Sequence, residues 1–322
     1  MTTGQEIFRF LNEMIVGPFG LVTMGLTYAL AIVLPIVTFY FFVFGLLEDS
    51  GYLPRLAVLL NRSFRAMGLN GKAVLPMVLG LGCDTMATLT TRVLDTAKER
   101  LIVILLLALA VPCSAQLGVV LAMLSGVSWG AAVIWVAVTV GVLFLVGYLA
   151  SKVLPGKGSD FLLEIPPMRW PKPRNILVKT LARVEWYLRE AVPLFLAGTL
   201  ILFLAEKTDL LRRSERLLAP VVTGLLGLPA ETAKAFLAGF LRRDYGAVFL
   251  LDAARSGRLD GVQVLVSVTV ITLFLPCIAN FFVIAKERGL KTALAISAFV
   301  FPFAIAVGAI LRLALRASGI RL

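Results

Sequence analysis

Hydrophobic positions come in long runs along this chain, and polar positions are confined to short stretches between them. A run of about 20 apolar residues is long enough to cross hydrocarbon as a helix. The pattern predicts eight such spans, at 24–47, 72–94, 100–124, 128–151, 190–205, 230–251, 261–285 and 292–315. Three stretches between them read differently. In 47–71, Arg55, Arg62 and Arg65 alternate at helical spacing with Leu56, Leu59 and Leu60, and 176–189 and 209–222 share that habit. Basic amphipathic helices of this kind lie along the bilayer surface. Residues 1–16 read as a further short interfacial helix, without the basic n-region and small-residue cleavage site of a signal peptide. The predicted fold class is an all-α polytopic membrane protein.

Composition agrees. Of 322 residues, 59% are hydrophobic and only 16% charged, and mean hydropathy is +0.94. A soluble domain is nearer half apolar and a quarter charged. The net charge of +12 does not call for nucleic acid, because basic residues gather in the cytoplasmic loops of membrane proteins. The polar, proline-rich stretch 154–175 carries Lys157, Arg169, Lys172 and Arg174 and divides the chain into halves. By the positive-inside rule this connector is cytoplasmic, and with eight spans both termini share its side. There is no histidine, and the three cysteines Cys83, Cys113 and Cys277 lie inside apolar runs. Such a set does not describe a disulfide framework.

The two halves repeat each other. VPCSAQ (111–116) matches LPCIAN (275–280), and GLNGKAVLPMVLGLGCD (68–84) aligns with GLPAETAKAFLAGFLRRD (227–244) with one residue inserted. Cys113 then pairs with Cys277, and Asp84 with Asp244. Counted by spans alone, the third and seventh run in the same direction and the repeat is predicted to be parallel; broken helices or re-entrant segments would change that count. Each half carries two helix breaks beside polar residues: GLGCDT and VPCSAQ in the first, FLRRDY and LPCIAN in the second. Broken helices free backbone groups, which is tolerated in a membrane only where protein or water re-satisfies them. Transporters build midplane ion sites from such helices.

Cys83, Asp84, Cys113 and Cys277, with oxygen donors from Gln116 and Asn280 and from Ser114 and Thr85, form a plausible donor set for a divalent transition metal, since soft sulfur disfavours magnesium and calcium. Arg242, Arg243 and Asp244 stand beside them as gate or counter-charge. Blander readings stay open: buried thiols often act as small hydrophobes, the prolines can be simple kinks, and Asp84 or Asp244 can pair with Arg242 or Arg243 for structure alone. The arginine pair would also suit an anionic substrate.

LLEDSGYLPRLAVLLNRSFRAMGLNGKAVLPMVLGLGCD (46–84), TRVLDTAKERLIVILL (91–106), VPCSAQ and FLLEIPPMRWPKPRNILVKTLARVEWYLREA (161–191) closely resemble the membrane region of the FeoB family of bacterial ferrous-iron transporters. The resemblance implies two Gate, or nucleoside-recognition-type, membrane units, with boundaries at 1–153 and 176–322 around the connector 154–175. It places cysteines on the iron path: Cys83 corresponds to the cysteine of the family's GCN motif, Cys113 to that of SCGAR, and Cys277 to the second-half PC cysteine. The chain departs from the family at Asp84, where the family has Asn, and at Gln116, where it has Arg. Both changes make the site more negative. The string GLNGKA (68–73) lacks the spacing and hydroxyl of a P-loop, so the chain is expected to be a transporter rather than a GTPase.

The implied function is inward transport of Fe2+, as substrate rather than cofactor, across the bacterial inner membrane. The implied partners are the lipid bilayer, a separate cytoplasmic GTPase and a second copy of the chain. A transporter of a nucleoside or other organic solute, and a non-transporting membrane partner of a GTPase, are the alternatives.

Overall fold

The computed structural model describes residues 12–16, 21–27, 29–156, 167–208, 210–241, 243–274 and 277–318. Among them there are helices and no strands. Packing divides the chain into two compact units: residues 1–52 with 167–214, and residues 53–166 with 215–322.

In the first unit, Ala29–Asp49 is one apolar helical stretch of 21 residues, whose regular part is α1 (Leu34–Asp49). It leads to α2 (Tyr52–Ala66), which passes into the second unit. The acidic end of α1 holds the segment that follows the connector. Asp49 Oδ2 accepts from the Lys172 amide at 2.8 Å, and Glu48 pairs with Lys179 at 3.0 Å and Arg183 at 2.7 Å. The Arg183 guanidinium also stacks over Phe44, 5.0 Å from the ring centre.

The second unit contains two of the predicted spans, folded in half. Window 72–94 becomes α3 (Val74–Gly80) and α4 (Asp84–Thr90), which pack on each other, so the chain doubles back at Leu81–Cys83. Then come α5 (Ala97–Ala110) and α6 (Ser114–Ser125), one apolar helix broken at Val111–Cys113, and the unbroken α7 (Trp129–Val153). After α8 (Pro173–Trp186) and α9 (Val192–Lys207) of the first unit, the amphipathic α10 (Leu210–Val221) leads back. Window 230–251 becomes α11 (Thr232–Leu241) and α12 (Arg243–Arg255). A second broken helix follows, α13 (Gly261–Leu273) and α14 (Ile278–Arg288), and then α15 (Leu290–Ala317). The 230–251 window cannot be a span. A Cβ on Gly246 would lie 2.4 Å from the Ala235 carbonyl and 2.7 Å from Gly239 Cα, whereas a continuous helix would hold residues 235 and 246 roughly 16 Å apart. Both windows are apolar enough to cross, but close approach at Gly80 in the first and at Gly239 and Gly246 in the second goes with a chain that folds back as a re-entrant hairpin.

The direction of each element follows from its contacts within this unit. Lys98 at the start of α5 bonds the carbonyls of Ser151 (2.7 Å) and Gly156 (3.1 Å) at the end of α7, so both lie on the connector's face. The first hairpin joins α5 through Leu94–Thr96 and therefore opens on that face. α14 packs on α4, and Glu287 near its end accepts from Arg92 Nε at 3.0 Å. The second broken helix thus runs toward the connector's face, while the first runs away from it. α12 packs reciprocally on α6, which puts the second hairpin's open end on the opposite face.

The repeat is inverted, not parallel as predicted. The sequence count failed because it scored two hairpins as crossings. α15 starts at the connector's face and ends on the other, where Arg312 bonds the Gly224 carbonyl at 2.9 Å. The end of α15 and the connector therefore lie on opposite faces, contrary to the expectation for the C-terminus.

Single cysteines at Ser125 and Ser256, placed in a chain whose native cysteines are replaced by serine, are expected to react with an impermeant maleimide from one face, and a cysteine at Lys291 from the other. A parallel repeat would put Ser125 and Ser256 on different faces. Gly246→Ala is expected to prevent hairpin closure and yield aggregated protein, whereas Gly224→Ala, with nothing within 4 Å of the new Cβ, is expected to behave as wild type in size-exclusion chromatography.

Candidate ion pathway at the helix breaks

All three cysteines head a helix. Cys83 is the N-cap residue of α4, Cys113 of α6 and Cys277 of α14. Each has left helical geometry, and none makes a side-chain cap hydrogen bond. All three cysteines are half-buried residues. They belong to one neighbourhood. Cys277 feels the charges of Asp84 and Arg243, and it lies within electrostatic reach of Cys83 and Cys113. Ser114 ties the first break to the first hairpin tip, its hydroxyl donating to the Gly82 carbonyl at 3.1 Å. Gly80 admits this approach, because a Cβ there would meet Leu107 Cδ2 at 2.4 Å.

Behind the thiols lies a buried ion pair. Arg243, the first residue of α12, donates through Nη1 to Asp84 Oδ2 at 2.6 Å, and both side chains are 3% exposed. The same nitrogen donates to the Val111 carbonyl at 3.1 Å, and Nη2 to the Ala108 carbonyl at 2.7 Å. Pro112 explains the last contact. It has no N–H to offer the carbonyl four residues back, so Ala108 needs another donor. The two partners are also equivalents in the repeat: Gly80 and Gly239 each precede the helix start by four residues, and each abuts the broken helix that follows, at Leu107 and Ile271. This makes Arg243 the counterpart of Asp84, where the sequence alignment offers Asp244.

The amides flank this pair. Gln116 Nε2 donates to the Ile271 carbonyl at 2.8 Å, and Asn280 bonds Thr88 Oγ1 at 2.8 Å. Asp84 Oδ1, Gln116 Oε1 and Asn280 Nδ2 are buried without partners. For Asn280, turning the amide over still leaves one of its atoms unpaired. Trp135 Nε1 donates to Thr272 Oγ1 at 3.1 Å. That contact and the Ala108 and Val111 carbonyls are site features the sequence reading missed, although Pro112 flags the Ala108 carbonyl. Arg242 lies outside the described residues, and so does the side chain of Asp244. Among the described residues no three Cys, Asp or Glu side chains close into a cage. The donors are spread over a hairpin tip and two breaks, as in a path with several weak stations.

The model of the Gate family, described as nucleoside recognition, matches residues 30–126 and 188–291, more than half of the chain. The chain belongs to the Gate family. Its two Gate segments contain both hairpins and both broken helices. The model described as Ferrous iron transport protein B C terminus matches residues 132–183, which bears out the likeness to FeoB read from the sequence. The Fe(2+) transporter FeoB of Legionella pneumophila (strain Lens) is 33% identical over 174 residues, 52% of this chain and 23% of that protein. The Fe(2+) transporter FeoB of Staphylococcus aureus (strain COL) is 31% identical over 214 residues, 63% of this chain and 32% of that protein. The Gate chain thus spans about a quarter to a third of these relatives. No solved structure matches it.

Breaking a buried ion pair from one side leaves a charge uncompensated, which costs about 3–5 kcal/mol. Arg243→Ala is expected to lower stability in detergent by that order, measured by thermal unfolding. Asp84→Asn in the same background is expected to recover part of the loss.

Proposed function

We propose that this chain conducts Fe2+ across the bacterial inner membrane along a path lined by Cys83, Cys113 and Cys277, with Asp84, Gln116 and Asn280 behind them. The observation that carries this reading is the placement of every cysteine at the head of a half-helix in one neighbourhood, in a chain similar to proteins named Fe(2+) transporter FeoB. Thiol, carboxylate and amide oxygen together suit a borderline divalent cation. An anionic substrate fits less well, because the Arg243 guanidinium already serves a carboxylate and two carbonyls.

Residues 1–153 and 176–322 act in this reading as two Gate-like halves joined by 154–175. The connector's face is cytoplasmic. Lys98, Lys152, Lys286 and Lys291 lie at the helix ends on that face, which the positive-inside rule favours as cytoplasmic. Iron moves toward that face, and a separate GTPase would dock on it. The chain acts as a transporter, not an enzyme.

In proteoliposomes under reducing conditions, the purified chain is expected to take up Fe2+. The Cys83→Ser/Cys113→Ser variant is expected to be slower by about tenfold or more, the scale on which metal-site substitutions act. Uptake at the wild-type rate would contradict the thiol-lined path, and uptake of labelled nucleoside without iron would replace it.

A further inference from the structure

The buried guanidinium sits among ligands that suit a metal. Arg243 holds one carboxylate oxygen, Asp84 Oδ2 at 2.6 Å, and two main-chain carbonyls, Ala108 at 2.7 Å and Val111 at 3.1 Å. Carboxylates and freed carbonyls at a helix break are what cation sites in broken-helix transporters are made of. Three further features surround the set. Asp84 Oδ1 is buried with no partner. Cys83, itself half-buried, is the adjacent residue. Cys113 and Cys277 both feel the charges of Asp84 and Arg243. Remove the guanidinium and what remains is a carboxylate, two carbonyls and neighbouring thiols, with a deficit of positive charge.

We propose that Arg243 is a tethered cation seated in a divalent-cation site, formed by Asp84 with the Ala108 and Val111 carbonyls and bordered by the three thiols. The site opens when the second hairpin carries the guanidinium away. This rests on the iron-path reading and adds a named station to it. A monovalent guanidinium leaves Asp84 as a divalent ion enters, and loss of one proton from a bordering thiol to water keeps the site neutral. It also assigns the hairpins distinct tasks. The first hairpin supplies the carboxylate at its tip, and the second supplies the competitor at the equivalent position. A site available in about a tenth of molecules binds about tenfold more weakly than an open one, so removing the competitor should strengthen binding on that scale.

The test is equilibrium binding of Fe2+, under reducing conditions, and of Co2+ to the full chain in detergent, read by thermal shift and by the thiolate–cobalt absorption band. Wild type is compared with Arg243→Gln, Arg243→Lys and Arg243→Gln/Asp84→Asn. Arg243→Gln is expected to bind about tenfold more tightly, and Asp84→Asn is expected to abolish the gain. Lysine keeps the charge but cannot span three oxygens, so Arg243→Lys is expected to fall between, and it supplies the comparison if the glutamine variant does not fold. Affinity in these variants equal to or weaker than wild type, while wild type still takes up iron, would overturn the tethered cation and leave the iron path standing. Absence of iron uptake and of metal binding in every form would overturn both.

Discussion

Arg243 reaches from the tip of the second hairpin into the gap that Pro112 opens in the first broken helix. The central contacts of the second unit depend on that reach. A helix broken in a membrane interior exposes carbonyls that lipid cannot satisfy, and a carboxylate buried there is costlier still. One guanidinium answers both needs, because its planar fork offers several donors at once. The contact also binds opposite repeats: Asp84 belongs to the first, Arg243 to the second, and they occupy equivalent places. Gln116 reaching Ile271 and Thr88 reaching Asn280 cross between repeats in the same way.

Inversion gives these contacts their meaning. Two re-entrant hairpins enter from opposite faces and bring their tips to two breaks near the middle of the unit. The second arm of each hairpin packs on the far half of the other repeat's broken helix. A path through such a centre is bounded on each side by a different hairpin, and the inverted relation makes the two boundaries interchangeable in principle. The three cysteines lie at helix heads around that centre and are half-buried, while Asp84 and Arg243 are buried.

Much of this was legible in the sequence. Apolar runs and basic amphipathic stretches marked α5–α7 and α13–α15 as membrane helices and α2 and α10 as interfacial ones. The PC motifs located both breaks, and their coincidence with Cys113 and Cys277 pointed to the site. The hairpins were not legible, because 72–94 and 230–251 have the length and hydropathy of crossings. The packing of α11 on α12, with Gly246 against the Ala235 carbonyl, shows that the second folds back. From that one misreading followed the wrong direction of the repeat and the wrong face for the end of α15. The pairing of Asp84 with Arg243 was one of several arrangements the residues allowed. Choosing among them requires the fold, since the two lie 159 positions apart. The Ala108 and Val111 carbonyls were invisible as donors because main-chain atoms carry no residue signature.

The account stands on a cation meeting the thiols where the two repeats join. The most direct measurement is a structure of the reconstituted chain with Fe2+ under reducing conditions, with anomalous scattering recorded at the iron edge. A peak between the heads of α4, α6 and α14, within coordination distance of at least one thiol and of the oxygens now held by Arg243, is the predicted result. An iron peak elsewhere in the chain, or none at saturating iron, would contradict it.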